Sequence, residues 1–278
     1  MLAEQNLRQG DLAATLHSLQ DQVRSSPADP KLRVFLFQLL AVLGQWERAL
    51  KQLQVAGELD AGTLAMVQTY REALRCEALR AEVFAGRRSP VVFGDPEPWM
   101  APLLEALRLT AHGQHGAAER LRDKAFEGAP TSPGVVDGVG FTWIADADTR
   151  LGPVLEAVVS GRYYWIPFTR IREIQLEKPA DLRDLVWTPA RFCWSNGGEA
   201  VGLIPTRYPG SETDADDRVR LARHTEWVEE TAASVFGRGQ RMLATDVGEY
   251  PLLEVRSIRL GEIAGDPVDT GRPGGEGG

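Results

Sequence analysis

The chemistry most readily proposed for this chain sits in one acidic turn. Asp146 and Asp148 alternate in Asp146-Ala147-Asp148-Thr149-Arg150, and Glu156 follows shortly after. Three such carboxylates supply the hard oxygen ligands a divalent cation takes, and would make the turn a metal-dependent hydrolytic site. The same residues also read as a turn whose short Asp side chains cap backbone N–H groups, with Arg150 as salt partner. His112 and His115 stand three apart with only Glu119 nearby and no cysteine, which reads as an exposed helix end rather than a zinc site. Cys76 and Cys193 lack a C-x-x-C partner and are too few for a disulfide scaffold. A phosphate loop, a nucleophile elbow and an H-E-x-x-H helix are missing, and Gly138-Val139-Gly140 lacks the third glycine of a dinucleotide site. The expectation is a protein that is not an enzyme, with no catalytic residue, metal or cofactor.

A second set of residues suggests binding. Tyr163, Tyr164, Trp165, Trp187, Phe192 and Trp194 fall in neighbouring strand-like runs. Alternation puts Tyr163 and Trp165 on one face and Tyr164 on the other. One face is core; the other, if exposed, is a partner surface. The run Glu212, Asp214, Asp216, Asp217 is interspersed with Ser, Thr and Ala and reads as a solvated loop.

Two kinds of element must position these residues. Residues 1–130 read as helical. Gly10-Asp11-Leu12 and Gly44-Gln45-Trp46 stand one 34-residue period apart, and Gly113, Ala118, Arg122, Ala125 and Pro130 suggest a further copy. This spacing resembles the tetratricopeptide repeat; the alternative is an unspecialised helical bundle. Small Ala49, Ala56, Ala118 and Ala125 would let helices approach, with Leu36, Leu40, Leu50 and Leu53 filling the core. Leu32, Phe35, Leu36, Leu39, Leu40 and Leu43 form a helical stripe opened by Asp29-Pro30, and 63–83 reads as a longer helix.

Residues 131–264 read as β-rich, giving an α+β protein of two domains. Val154 to Val159 and Arg162 to Ile166 flank Ser160-Gly161 as a hairpin, and Pro167 ends the second strand. Ile171 to Leu176 is a short strand. Ala190 to Trp194 and Glu199 to Ile204 flank Ser195-Asn196-Gly197-Gly198 as a second hairpin. Gln240 to Thr245 and Leu252 to Leu260 suggest a last pair, and 216–222 is either a short helix or a strand. A small twisted sheet or partly closed barrel is the expected result. Residues 265–278 hold six glycines and two prolines and read as a flexible tail.

Charge narrows the partners. The 278 residues carry 31 Lys+Arg against 39 Asp+Glu, a net charge of −8, which argues against a nucleic-acid binder. Residues 1–130 hold 15 basic and 16 acidic side chains, so the acidity lies almost wholly in the second half. The longest apolar stretch, near 34–43, is about half the ~20 residues of a membrane helix, and the N-terminus lacks a signal-like pattern. A cytoplasmic protein without membrane insertion is expected.

Several ordered motifs carry a resemblance. The segment from Trp143 through Asp146, Asp148, Gly152-Pro153 and Glu156 is similar to the ImpE/TagJ family, as are Gly161 to Phe168 and Asp181 to Ala190. Gly202 to Pro209, Gly239-Gln240-Arg241 and Asp246 to Pro251 complete the pattern, which spans about residues 1–260. The resemblance implies a non-enzymatic accessory protein of bacterial type VI secretion systems. It would bind the N-terminal helical segment of the small contractile-sheath subunit and link it to sheath handling by the recycling AAA+ ATPase. An amphipathic helix would lay apolar anchors into a groove. That groove is either the concave helical face, where Val34, Gln38 and Ala41 would point, or a cleft between the domains near Tyr163, Tyr164, Trp165, Trp187, Arg191 and Trp194.

Overall fold

A glycine in the left-handed region closes each of three helix hairpins. Gly10 (φ +84°) separates α1 (Leu2–Gln9) from α2 (Leu12–Ser25), and Gly44 (φ +66°) separates α3 (Pro30–Val42) from α4 (Trp46–Leu59). After α5 (Leu64–Phe84) and the short β1 (Val91–Val92), Gly113 (φ +73°) separates α6 (Met100–Ala111) from α7 (His115–Gly128). Only glycine enters this conformation without steric cost, so each of these three glycines fits the turn it occupies. Ala49, Ala56, Ala118 and Ala125 are all fully buried where the paired helices meet. Asp29 caps α3, accepting from the Lys31 N–H at 2.8 Å, with Pro30 at the first helical position. The computed structural model describes residues 2–231 and 233–261; the glycine-rich segment 265–278 lies outside the described residues.

From residue 134 the chain is strand-rich: β2 (Gly134–Val136), β3 (Val139–Phe141), β4 (Ile144–Asp146), β5 (Val154–Val159), β6 (Arg162–Pro167), β7 (Ile171–Leu176), β8 (Trp187–Trp194) and β9 (Glu199–Pro205). A one-turn helix α8 (Asp217–Arg220) precedes β10 (Thr225–Thr231), β11 (Ser234–Gly239), β12 (Met242–Thr245), β13 (Glu249–Pro251) and β14 (Ser257–Leu260). Nine strands form one open sheet in the order β1-β6-β5-β9-β8-β7-β14-β2-β3. The helical half supplies its edge strand β1, which runs parallel to β6. β13-β12-β4 and β10-β11 make two smaller sheets.

Both expected hairpins are present. β5 and β6 pair from Val154↔Pro167 to Val159↔Arg162, and Ser160 (φ +50°) and Gly161 (φ +73°) make the two-residue turn. β8 and β9 pair over seven positions, with Trp187 already inside the strand. Three expectations are corrected. The sheet is neither small nor a barrel, because distant segments join it: β14 pairs with both β7 and β2. For the same reason β12 pairs with β13 and β4 rather than with 252–260. The acidic run is a capping element instead of a solvated loop. Asp216 caps α8 through the Arg218 N–H at 2.7 Å, and an Asp217 oxygen accepts from the Leu12 N–H of α2 at 3.0 Å. The undecided stretch 216–222 is helical over Asp217–Arg220.

Strand alternation gives the large sheet two buried faces. Val154, Val158, Tyr163, Trp165, Trp187 and Leu203 pack with the helices in one core that spans both halves of the chain. Leu155, Ala157, Val159, Ile166, Phe192 and Ile204 pack on the other side with Leu243, Leu252 and Val255. Among the described residues no helix is long and apolar enough to cross a membrane.

Candidate functional site

The helix-facing side of β5 alternates Val154, Glu156, Val158, so a carboxylate is placed in the middle of an apolar face. Glu156 is fully buried, and its cost there is met by cations. Arg80 of α5 grips it bidentately, Nε to Oε1 at 2.8 Å and Nη2 to Oε2 at 3.0 Å. Arg241, at the mouth of β12, bridges Glu156 and Asp146, and its Nε donates to the Pro205 carbonyl at 2.9 Å. The Tyr163 hydroxyl donates to Glu156 at 2.5 Å and receives the Trp165 indole N–H at 2.8 Å. Burial pushes the Glu156 carboxyl up, but Arg80 and Arg241 outweigh it and hold it at about 2. For Asp146 burial wins: its carboxyl is pushed up to about 6, with Arg241 opposing and Asp148 reinforcing.

The acidic turn belongs to this network. Asp146 accepts from the Tyr208 hydroxyl at 3.0 Å and from the Asp148 N–H at 2.9 Å. Asp148 accepts from the Arg150 N–H and Nε, both at 2.9 Å, and from the Gly237 N–H at 2.9 Å. Guanidinium groups and N–H donors therefore fill the oxygens that a divalent cation would need. The donor set fits the capped turn with Arg150 as partner, and it does not fit a metal site. Among the described residues no group of three His, Cys, Asp or Glu is arranged for a metal.

The helix-facing core buries Tyr163, Trp165 and Trp187, and the core on the opposite face of the sheet takes Phe192 and Trp194. Tyr163, Trp165 and Trp187 are at most 1 % exposed, and Trp194 is buried against Phe192, ring centroids 5.0 Å apart. Trp187 lies 6.1 Å from Trp46 and 5.7 Å from Tyr70, and donates to Glu77 Oε1 at 2.8 Å. Tyr164 is half-buried, edge-on to Phe93. Ala41 is fully buried beneath Arg207, whose Nη1 donates to the Val42 carbonyl at 2.8 Å at the C-terminus of α3. Burial holds the Arg207 guanidinium down at about 10, with Glu212 and Glu77 opposing.

Surface grooves lie along the seam among the described residues. One, of about 770 Å³, runs beside α3 and has Leu7, Leu32, Phe35 and Leu182 on its floor. Gln38 lines it and also an adjoining depression of about 310 Å³ that contains Val34. Glu4, Asp21, Asp29, Asp60 and Asp181 border these two spaces, against a single Lys31. The other groove, of about 930 Å³, lies between α5 and the β8–β9 hairpin, includes Arg191, and mixes Glu72, Glu177 and Glu199 with Arg183 and Arg191. The structure thus brings Val34 and Gln38 together, sets Arg191 in a separate groove, buries Tyr163, Trp165, Trp187 and Trp194 in the two cores, and leaves Tyr164 half-buried.

Sequence reasoning missed Phe35 and Asp181 at the groove and Arg80, Arg207, Tyr208 and Arg241 in the core. Arg207-Tyr208 and Arg241 sit within the quoted family motifs, next to apolar strand residues, which was the available signal. Arg80 carries none.

Comparison with known proteins agrees with this architecture. The ImpE protein family matches residues 138–259. The type VI secretion system accessory component TagJ of Pseudomonas aeruginosa is 54 % identical over 258 residues, covering 93 % of this chain and 90 % of that protein. The crystal structure of protein VPA1032 from Vibrio parahaemolyticus has the same fold, with a TM-score of 0.84 and 22 % identity over 94 % of this chain and 98 % of that one. With more than half of its residues shared across nine-tenths of both sequences, the chain belongs to the ImpE/TagJ family.

Proposed function

We propose that this protein is a non-enzymatic, cytoplasmic accessory component of a type VI secretion system, acting as an adaptor for the contractile sheath. It binds the N-terminal helical segment of the small sheath subunit and so links that subunit to the AAA+ recycling ATPase. The relative's role as an accessory component supports the setting. The α1–α2 and α3–α4 hairpins act as tetratricopeptide-like units within a helical domain, 1–130, docked on a β-rich domain, 131–264.

The observation that carries the binding mode is the groove along α3. Its floor is apolar and five carboxylates border it with one lysine. An amphipathic helix would set its apolar stripe on Leu32, Val34 and Phe35 and its basic flanks against Asp21, Asp29 and Asp181. The α5–β9 groove is closer to charge balance and offers such a peptide less attraction. Calorimetry with the sheath-subunit N-terminal peptide tests the reading. Binding that weakens as salt rises supports it, and no heat of binding at low salt refutes it.

A further inference from the structure

β10 reads Thr225-Glu226-Trp227-Val228-Glu229-Glu230-Thr231, and its one strand partner among the described residues is β11. The bonds made by β11 show which backbone groups of β10 are unused. Gly237 faces Trp227, yet its N–H goes away from β10 to Asp148 Oδ2 at 2.9 Å. Val235 faces Glu229, and its N–H and C=O are both taken by Thr149, at 3.1 Å each. Gly239 faces Thr225, and its N–H goes to Ser211 Oγ at 2.8 Å. These are the non-hydrogen-bonded pairs of an antiparallel ladder, so Thr225, Trp227 and Glu229 also turn their N–H and C=O away from β11. They form an open strand edge, with no backbone partner among the described residues.

The hairpin is firmly seated behind that edge. Trp227 packs on Tyr208 with centroids 5.7 Å apart while staying 37 % exposed, and Ser234 receives the buried Arg122 Nη2 at 2.5 Å. A long unpaired edge is a template for a further strand. Its chemistry selects the occupant. The seven residues include three glutamates and no basic side chain. Pairing with a second copy about Val228 would set Glu226 against Glu230, and any antiparallel register would bring three glutamates of one copy beside three of the other, which disfavours a pair of copies. Arg238, opposite Glu226, is already engaged by Asp214 at 3.4 Å. His224 and His115 stand 3.9 Å from Glu226 and Glu230.

We propose that the β10 edge is a second docking surface, which takes an extended, basic segment of a partner protein as an added antiparallel strand. None of its residues lines the α3 groove, so the two sites are independent.

The probe is a fluorescent seven-residue peptide of alternating lysine and valine, read by anisotropy against the full chain. An analogue with N-methyl groups on the residues that would face β10 keeps the charge but loses the backbone donors. The native peptide should bind at least about tenfold more tightly than the methylated one. Glu229→Pro removes an outward N–H without touching the β10–β11 ladder, and should weaken binding about tenfold where Glu229→Gln weakens it less. Phe35→Asp, in the other groove, should leave it unchanged. Equal binding of both peptides overturns the proposal, and that comparison uses wild-type protein, so it stands even if Glu229→Pro folds poorly. Loss of binding in Phe35→Asp alone, or a dimer of the chain that Glu229→Pro dissolves, also overturns it.

Discussion

Arg80 on α5 and Glu156 on β5 meet through two parallel hydrogen bonds of 2.8 and 3.0 Å, with both side chains buried, and so join the helical half of the chain to the sheet. A third bond from Arg80 Nη2 to the Arg207 carbonyl at 2.8 Å extends the junction to the β9 end of the sheet. The pair is a point where the two halves are held in one arrangement: without Arg80, Glu156 would keep as its cation only Arg241, which it shares with Asp146, and the buried Glu77 would lose the guanidinium 3.5 Å away.

Removing one partner of that pair should therefore be costly. Arg80→Met is expected to lower stability by about 3–5 kcal/mol in urea denaturation. Arg75→Ala, which breaks an exposed pair with Glu72, should stay within about 0.5 kcal/mol of the parent. Similar losses in the two variants would mean that the buried pair contributes nothing specific.

Asp146 gives the network a pH signature. Its folded carboxyl is raised to about 6 from an ordinary 3.8, chiefly by burial, so the folded state holds a proton that the unfolded chain releases. The stabilisation from that proton is complete below 3.8 and is lost as pH rises through 6. Asp146→Asn lacks this dependence. Wild type should lose stability relative to Asp146→Asn between pH 4 and 6, by up to about 3 kcal/mol, in melts taken across that range. Glu156 behaves oppositely: held at about 2, it should add an acid-side loss below pH 4.5 in both proteins. A wild-type advantage that grows from pH 4 to 6 would contradict the assignment.

The hairpin glycines separate strain from crowding. Gly113 has positive φ and open space around it, so Gly113→Ala should cost about 1 kcal/mol from backbone strain alone. Gly44 has positive φ and Glu212 packed against it, where a β-carbon would collide with the Glu212 side chain. Gly44→Ala should cost more than Gly113→Ala in the same denaturation assay. Equal costs would show that Glu212 moves aside freely.

What the sequence discloses follows from how local its causes are. Gly10, Gly44 and Gly113, the Asp29-Pro30 start, Ser160-Gly161 and Asn196-Gly197 each act within a few residues, and every one marks a real turn or helix start. Long-range pairing leaves no such mark. Ser257–Leu260 looks like the partner of the preceding strand, yet it joins β7 and β2, over eighty residues earlier in the chain. The β10–β11 ribbon was missed because Thr225 to Thr231 alternates weakly and lacks an Asn-Gly turn. At the site, an aromatic run discloses burial but not which partner buries it. Tyr163, Trp165 and Trp187 are covered by the chain's own α5 and α4, while Phe35, an ordinary stripe residue, lies in the groove. Asp217 and Arg80 look like surface charges until the other half of the molecule is placed against them.

A charge placed in the groove should weaken partner binding without unfolding the protein. Val34 and Phe35 are half-buried at the surface of α3, so Val34→Asp and Phe35→Asp are expected to keep the parent's circular dichroism and lose the sheath-subunit peptide. Asp181→Lys should weaken binding mainly at low salt, because it reverses a rim charge. Peptide binding unaffected by all three would move the interaction elsewhere.

Site-specific photocrosslinking decides whether the partner helix lies along α3. Benzoylphenylalanine replaces Phe35 in one variant and Val201, in the α5–β9 groove, in another, each irradiated with the sheath-subunit N-terminal peptide. A crosslinked product is expected from position 35 and none from position 201. A product from position 201 with none from position 35 would contradict it.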